Sequence, residues 1–132
     1  MNQYISLING KFQNTISVLD RGLAYGDGFF ETMLWDSYGK NEEKIGVEFW
    51  NRHLKRINKG CKLMKINIPG EQEILNQRNK ILFKSKANGI ESGLLKLIIT
   101  RGVGGRGYKF EKNMIANLIF LSFEKPQLEL KN

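Results

Sequence analysis

The chain has 132 residues, of which 41% are apolar and 26% charged, with two prolines; this suits one globular domain and excludes disordered and collagenous chains. Its longest strongly apolar run, Leu118 to Leu121, is far short of the roughly 18 residues a membrane span needs, and no basic stretch at the N-terminus leads into a long apolar one. Lys and Arg total 21 against 13 acids, a net charge of +8, which points to an anionic partner without choosing among nucleic acid, phosphate and an acidic metabolite. A single cysteine, Cys61, and a single histidine, His53, exclude an internal disulfide and argue against any zinc site; the compartment expected is the reducing cytoplasm.

Tyr4 to Asn9 reads as a short strand, and Asn9-Gly10 suits a type I′ hairpin turn because both residues tolerate positive φ. Three glycines from Gly22 to Gly28 argue against a long regular element and for a compact loop with unusual backbone angles. Phe29 to Trp35 is apolar at nearly every position and predicts a strand covered on both faces. Ser37 to Asn41 reads as a polar turn. From Glu48 the period changes: Trp50, Leu54, Ile57, Cys61 and Met64 recur at helical spacing, with Gly60 a weak point. Pro69-Gly70 ends that helix, Glu71-Gln72-Glu73 opens a second, and Ile74, Leu75, Ile81 and Leu82 form its buried side up to Asn88-Gly89. Leu94 to Thr100 and Met114 to Phe123 are two further strands. Strands, two consecutive helices, then strands predict an α+β fold with the helices packed on a largely antiparallel sheet.

Three stretches could carry chemistry. In Arg101-Gly102-Val103-Gly104-Gly105-Arg106-Gly107-Tyr108, three glycines match G-x-G-x-x-G, but only Lys109 to Met114 separate them from the next strand. That leaves no room for the helix a dinucleotide fingerprint must open, so this reading fails. Alternation puts Leu95, Leu97, Ile99 and Arg101 on one face. Arg101 thus ends an apolar row and needs an anion, either a ligand carboxylate or an internal salt-bridge partner. Arg106 is an exposed loop charge or a ligand contact. His53 and Arg56 share a helix face, either as a solvated pair or as a phosphate-binding arginine with a positioning histidine. Glu31 falls inside an apolar strand, where a carboxylate needs a cationic partner unless it faces water at an edge.

Together, Asp20-Arg21-Gly22-Leu23-Ala24-Tyr25-Gly26-Asp27-Gly28-Phe29-Phe30-Glu31-Thr32, His53-x-x-Arg56 and Thr100-Arg101-Gly102-x-Gly104-Gly105-Arg106-Gly107-Tyr108 resemble the N-terminal half of the class IV aminotransferases. These are the fold-type IV pyridoxal-phosphate enzymes: branched-chain and D-amino-acid aminotransferases and aminodeoxychorismate lyase. The glycine-rich loop most resembles that of the lyase, which takes 4-amino-4-deoxychorismate to 4-aminobenzoate and pyruvate, a step toward folate; an aminotransferase fragment is the alternative. The resemblance implies that Arg56 contacts the phosphate of pyridoxal 5'-phosphate, with His53 and Glu31 in support. It also implies that Arg101 and Arg106 hold substrate carboxylates and that Tyr25 and Phe30 line the pocket, the tyrosine in some relatives serving the neighbouring subunit of a dimer.

The family's catalytic lysine belongs to a second domain, and none of the 15 lysines here has its context. The expectation is therefore a small domain over residues 1–124, a linker or tail over 125–132, and no catalytic residue, no metal ligand and no lyase activity in these residues alone. Cofactor binding by this chain is expected to be weak or absent. The partners expected are an anionic small molecule and either a second copy or a complementary C-terminal domain. A nucleic-acid-binding module is a further alternative, but no such motif is present and the cations are spread along the chain. Arg56, Arg101 and Arg106 are expected to converge on one hollow.

Overall fold

The computed structural model describes residues 4–37, 45–105 and 113–124. Most of the turn expected at Ser37–Asn41, together with Arg106 and the tail over 125–132, lies outside them. Strands β1 (Tyr4–Ile8) and β2 (Lys11–Phe12) form the expected hairpin, with Asn9 and Gly10 at φ 52° and 81°, the positive angles a type I′ turn requires. They join β3 (Gly28–Asp36), β4 (Gly46–Val47), β5 (Ser92–Thr100) and β6 (Asn117–Glu124) in a single sheet. Its order is β2-β1-β6-β5-β3-β4, and every pairing is antiparallel.

Two helices, α2 (Trp50–Met64) and α3 (Glu71–Ala87), cover one face of this sheet, as the α+β reading predicts. The inward rows Leu95, Leu97 and Ile99 of β5, Leu118 and Phe120 of β6, and Met33 and Trp35 of β3 pack with Ile57 and Cys61 of α2 and Ile74, Ile81 and Leu82 of α3. Leu75 is only half-buried. The same side of α3 instead buries Ser85, whose hydroxyl donates to Ile81 O at 2.9 Å and accepts from the Ser122 hydroxyl at 2.7 Å, so this polar pair is satisfied within the core.

Two expectations fail. Strand β3 is covered on one face, not two: Phe30 and Leu34 are exposed, because both long helices lie on the other side. Residues 21–25 form a one-turn helix, α1 (Arg21–Tyr25), not a loop. The Asp20 carboxylate caps it by accepting from Leu23 N, and Gly26 closes it in the left-handed conformation at φ 66°.

Gly60, a weak point by helix propensity, is where α2 meets the sheet. A Cβ there would lie 2.8 Å from the Phe29 ring, so the helix approaches β3 this closely only because that position has no side chain. Strand β4 pairs only with Trp35 and Asp36. Among the described residues, nothing pairs with the edge of β3 beside α2 from Gly28 to Met33.

Candidate functional site

Glu31 sits on that edge strand, facing α2. Its Oε2 lies 2.7 Å from His53 Nδ1 and accepts from Arg56 Nη2 at 3.0 Å, the same Nη2 lying 3.0 Å from His53 Nδ1, while Arg56 Nε lies 3.0 Å from Oε1. His53 and Arg56 are three residues apart on α2, so one helix face presents both to the same carboxylate. Their side chains differ in exposure, 10% for His53 and 61% for Arg56. The two-point contact with Glu31 fixes the guanidinium plane and leaves Nη1 without a partner among the described residues. That is a pre-oriented cation at an accessible edge, the arrangement an anion such as phosphate requires.

The opposite face of the same edge is chemically different. Phe30 is 59% exposed, and Lys96 Nζ stands 4.3 Å from its ring centroid. The β3–β5 register pairs Thr32 with Lys96 and Phe30 with Ile98. In the rows Phe30-Thr32-Leu34, Leu94-Lys96-Ile98 and Ile119-Leu121-Phe123, Lys96 is the one charged side chain. The sequence reading missed it, although the signal was present: in Leu94 to Thr100 the phase opposite to the Arg101 row contains a single cation between two aliphatics.

Arg101 is 5% exposed and turned inward. Its Nε and Nη2 donate to Asp27 at 2.7 and 3.1 Å, and Nη1 and Nη2 donate to Lys65 O and Met64 O at 2.9 and 2.6 Å. Of the two readings open for Arg101, a salt bridge and a ligand grip, the structure shows the salt bridge. Arg21, also buried, donates from Nε to the same Asp27 oxygen at 2.9 Å and from Nη1 to Gly104 O at 3.3 Å. Burial alone would raise the Asp27 pKa, but the hydrogen bonds and charges of Arg101 and Arg21 outweigh it and hold the carboxyl below its ordinary 3.8.

Beside this group, the Asp20 carboxylate accepts from Thr100 Oγ1 at 2.6 Å and Asn117 Nδ2 at 2.7 Å. The two glycine-rich motifs, far apart in sequence, are thus one bonded unit. Tyr25 projects from it half-exposed, its ring 4.8 Å from the Arg21 guanidinium.

The expected convergence on one hollow is not seen for Arg56 and Arg101, which are held apart by different carboxylates. Arg56 and the α2 carbonyls that hold Arg101 are eight residues apart, roughly 12 Å along the helix, and Arg106 lies outside the described residues. A cavity of about 550 Å³ is lined by Asn9, Asn67, Glu73, Gln77 and Asn113, among others, and by none of the expected site residues. Among the described residues no group of His, Cys, Asp and Glu could hold a metal ion, and no helix is long and apolar enough to cross a membrane.

The sequence profile of the family described as amino-transferase class IV matches residues 28–131. The chain is 31% identical over 101 residues to an aminodeoxychorismate lyase of Vibrio harveyi, covering 76% of this chain and 33% of the relative. It is 33% identical over 126 residues to a protein of Methanocaldococcus jannaschii described as a putative branched-chain-amino-acid aminotransferase, covering 92% and 40%. Among solved structures, the 4-amino-4-deoxychorismate lyase of Pseudomonas aeruginosa superposes with a TM-score of 0.66 at 35% identity, over 87% of this chain and 38% of the other. The branched-chain amino acid aminotransferase of Escherichia coli reaches 0.73 at 18% identity, over 90% and 40%. The chain spans a third to two-fifths of the length of these proteins.

Proposed function

The chain belongs to the class IV aminotransferase family, and from that premise we propose that it is the N-terminal part of a pyridoxal-phosphate-dependent aminodeoxychorismate lyase. The reaction is conversion of 4-amino-4-deoxychorismate to 4-aminobenzoate and pyruvate, toward folate. The observation that carries this reading is the β3 edge at Phe30 and Glu31. One face of the strand offers the anchored guanidinium of Arg56, and the other offers an exposed aromatic ring with the Lys96 ammonium against it. A phosphate on one side and an aromatic carboxylate on the other match these two surfaces.

In this reading Arg56 holds the cofactor phosphate and Glu31 fixes its fork. His53, its Nδ1 2.7 Å from the shared oxygen, keeps Glu31 from turning away. Phe30 packs against the substrate ring, Lys96 binds a substrate carboxylate, Tyr25 walls the pocket and Arg106 supplies a second carboxylate contact. Arg101 is not among the grips, since its guanidinium is spent on Asp27 and the end of α2. The cofactor supplies the electron sink, and the amine that moves protons comes from outside these residues. No lysine enters the hydrogen bonds of the Glu31–His53–Arg56 group, so the 132 residues alone are expected to bind cofactor weakly and to release no pyruvate. Residues 1–124 are assigned to the domain and 125–132 to the start of a linker or to a tail, and the protein is cytoplasmic. A second copy or a complementary domain completes the site.

The apolar neighbours Leu34, Leu94 and Ile98 favour a second reading, a branched-chain aminotransferase. Binding tests separate the two. The lyase reading expects the chain to bind 4-aminobenzoate in preference to 4-methyl-2-oxopentanoate, with loss of that preference in Lys96→Met. Preference for the oxo acid would favour the aminotransferase, and pyruvate release by the chain alone would overturn the expected inactivity.

A further inference from the structure

The Asp27 carboxylate is the shared partner of two buried arginines from the two glycine-rich motifs. Its Oδ2 accepts from the Nε of two buried arginines, Arg21 at 2.9 Å and Arg101 at 2.7 Å, and its Oδ1 from Arg101 Nη2 at 3.1 Å. Each arginine then continues to a different element. Arg21 lies against the Tyr25 ring and reaches Gly104 O, and its own amide donates to Gly102 O at 2.8 Å. Arg101 closes on Met64 O and Lys65 O at the C-terminal end of α2, where the helix dipole places partial negative charge. Backbone bonds tighten the joint: Arg101 N donates to Asp27 O and Asp27 N to Arg21 O, each at 3.1 Å.

Two guanidiniums this close repel unless an anion lies between them. Remove the Asp27 charge and each arm loses its anionic partner while the two guanidiniums still repel, which strains the contacts of Arg21 with Tyr25 and the glycine turn and of Arg101 with α2, the helix that carries Arg56.

We propose that Asp27 is a positioning residue, which through Arg21 and Arg101 sets Tyr25 and the glycine turn against the helix bearing Arg56. The inference rests on the preceding reading only in taking Tyr25, the turn and Arg56 as ligand-facing. It gives Arg101 a role without ligand contact, and it explains why two arginines in glycine-rich motifs are buried.

The test uses the full chain with Asp27→Asn and Asp27→Glu, inorganic phosphate as the probe, and NMR of the Tyr25 ring and the Arg56 Nε–H. In Asp27→Asn the contact between Tyr25 and Arg21 is expected to disappear and phosphate binding at Arg56 to weaken about tenfold, the size seen when an outer partner of a ligand is removed. Asp27→Glu is expected to restore most of both. In the wild type the Tyr25 ring shift is expected to follow protonation of the Asp27 carboxyl, below its ordinary 3.8, and to lose that dependence in Asp27→Asn. If Asp27→Asn fails to fold, Arg21→Lys is read instead, with a freed Tyr25 ring expected. A Tyr25 contact and a phosphate affinity both unchanged within twofold would overturn the proposal. Absence of phosphate binding by the wild type would sink the role of Arg56 instead, and the Tyr25 readouts would still decide on Asp27.

Discussion

Substituting alanine for Gly60 sets two physical effects of opposite sign against each other. Helix propensity favours alanine by about 0.8–1.0 kcal/mol in an exposed helix interior. The structure opposes it, because the new methyl would lie 2.8, 2.9 and 3.1 Å from three atoms of the Phe29 ring, inside any contact two carbons tolerate. Phe29 is half-buried between α2 and the Ile99 register of β5, so the ring cannot swing away freely. Overpacking of this kind costs about 1–3 kcal/mol. Gly60→Ala is thus expected to destabilise by up to about 2 kcal/mol net, read as a lower urea midpoint by circular dichroism with an unchanged slope. In a Phe29→Leu background the obstruction is gone and the same substitution is expected to be neutral or stabilising, which makes the pair strongly coupled in a double-mutant cycle. Stabilisation by about 1 kcal/mol in the wild-type background would show that propensity alone governs this position, and would refute the account of how α2 seats on β3.

Other predictions concern the charged groups. Glu31→Gln keeps the shape but removes the charge that orients Arg56, so it is expected to cost about 1–3 kcal/mol of stability and to weaken phosphate binding, both measurable on the purified chain. The depressed pKa of Asp27 makes its contribution to stability fully present above the ordinary 3.8 and lost as pH falls through the lower folded value. Acid unfolding of Asp27→Asn is therefore expected to show a smaller pH dependence below pH 3.8 than the wild type. Burial pushes the Cys61 thiol up to about 11, so the native chain at about pH 8 is expected to resist iodoacetamide and to react once unfolded. Lys96→Met removes the one cation from its apolar rows and is expected to change stability by less than about 0.5 kcal/mol while weakening 4-aminobenzoate binding.

The elements that sequence periodicity exposes are those whose burial it also explains. The 3.6-residue stripe Trp50–Met64 is α2, and the alternation ending at Arg101 is the inward row of β5. The Asn9-Gly10 turn was legible because positive φ restricts residue type so strongly. What stayed hidden depends on distant partners. Helix α1 is a single turn held by the amide of Arg21 on Gly102 O, and nothing local in a glycine-rich segment announces that bond. The apolar composition of β3 suggested two covered faces, but composition does not say which side the helices take. Arg101 was recognisable as a cation in need of an anion, whereas the choice of Asp27 required the two motifs to meet. The Glu31–His53–Arg56 group was the most legible part of the site, since a carboxylate in an apolar strand and a helical His-x-x-Arg are each incomplete without the other.

Titration of the 132-residue chain with inorganic phosphate, followed at the Arg56 side chain, bears most directly on whether the β3 edge is an anion site. The account predicts weak, saturable binding, about millimolar in Kd, with shifts centred on Arg56, His53 and Glu31 and abolished in Arg56→Gln. Shifts that instead cluster at the cavity lined by Asn67, Gln77 and Asn113, or that survive the Arg56 substitution unchanged, would contradict it.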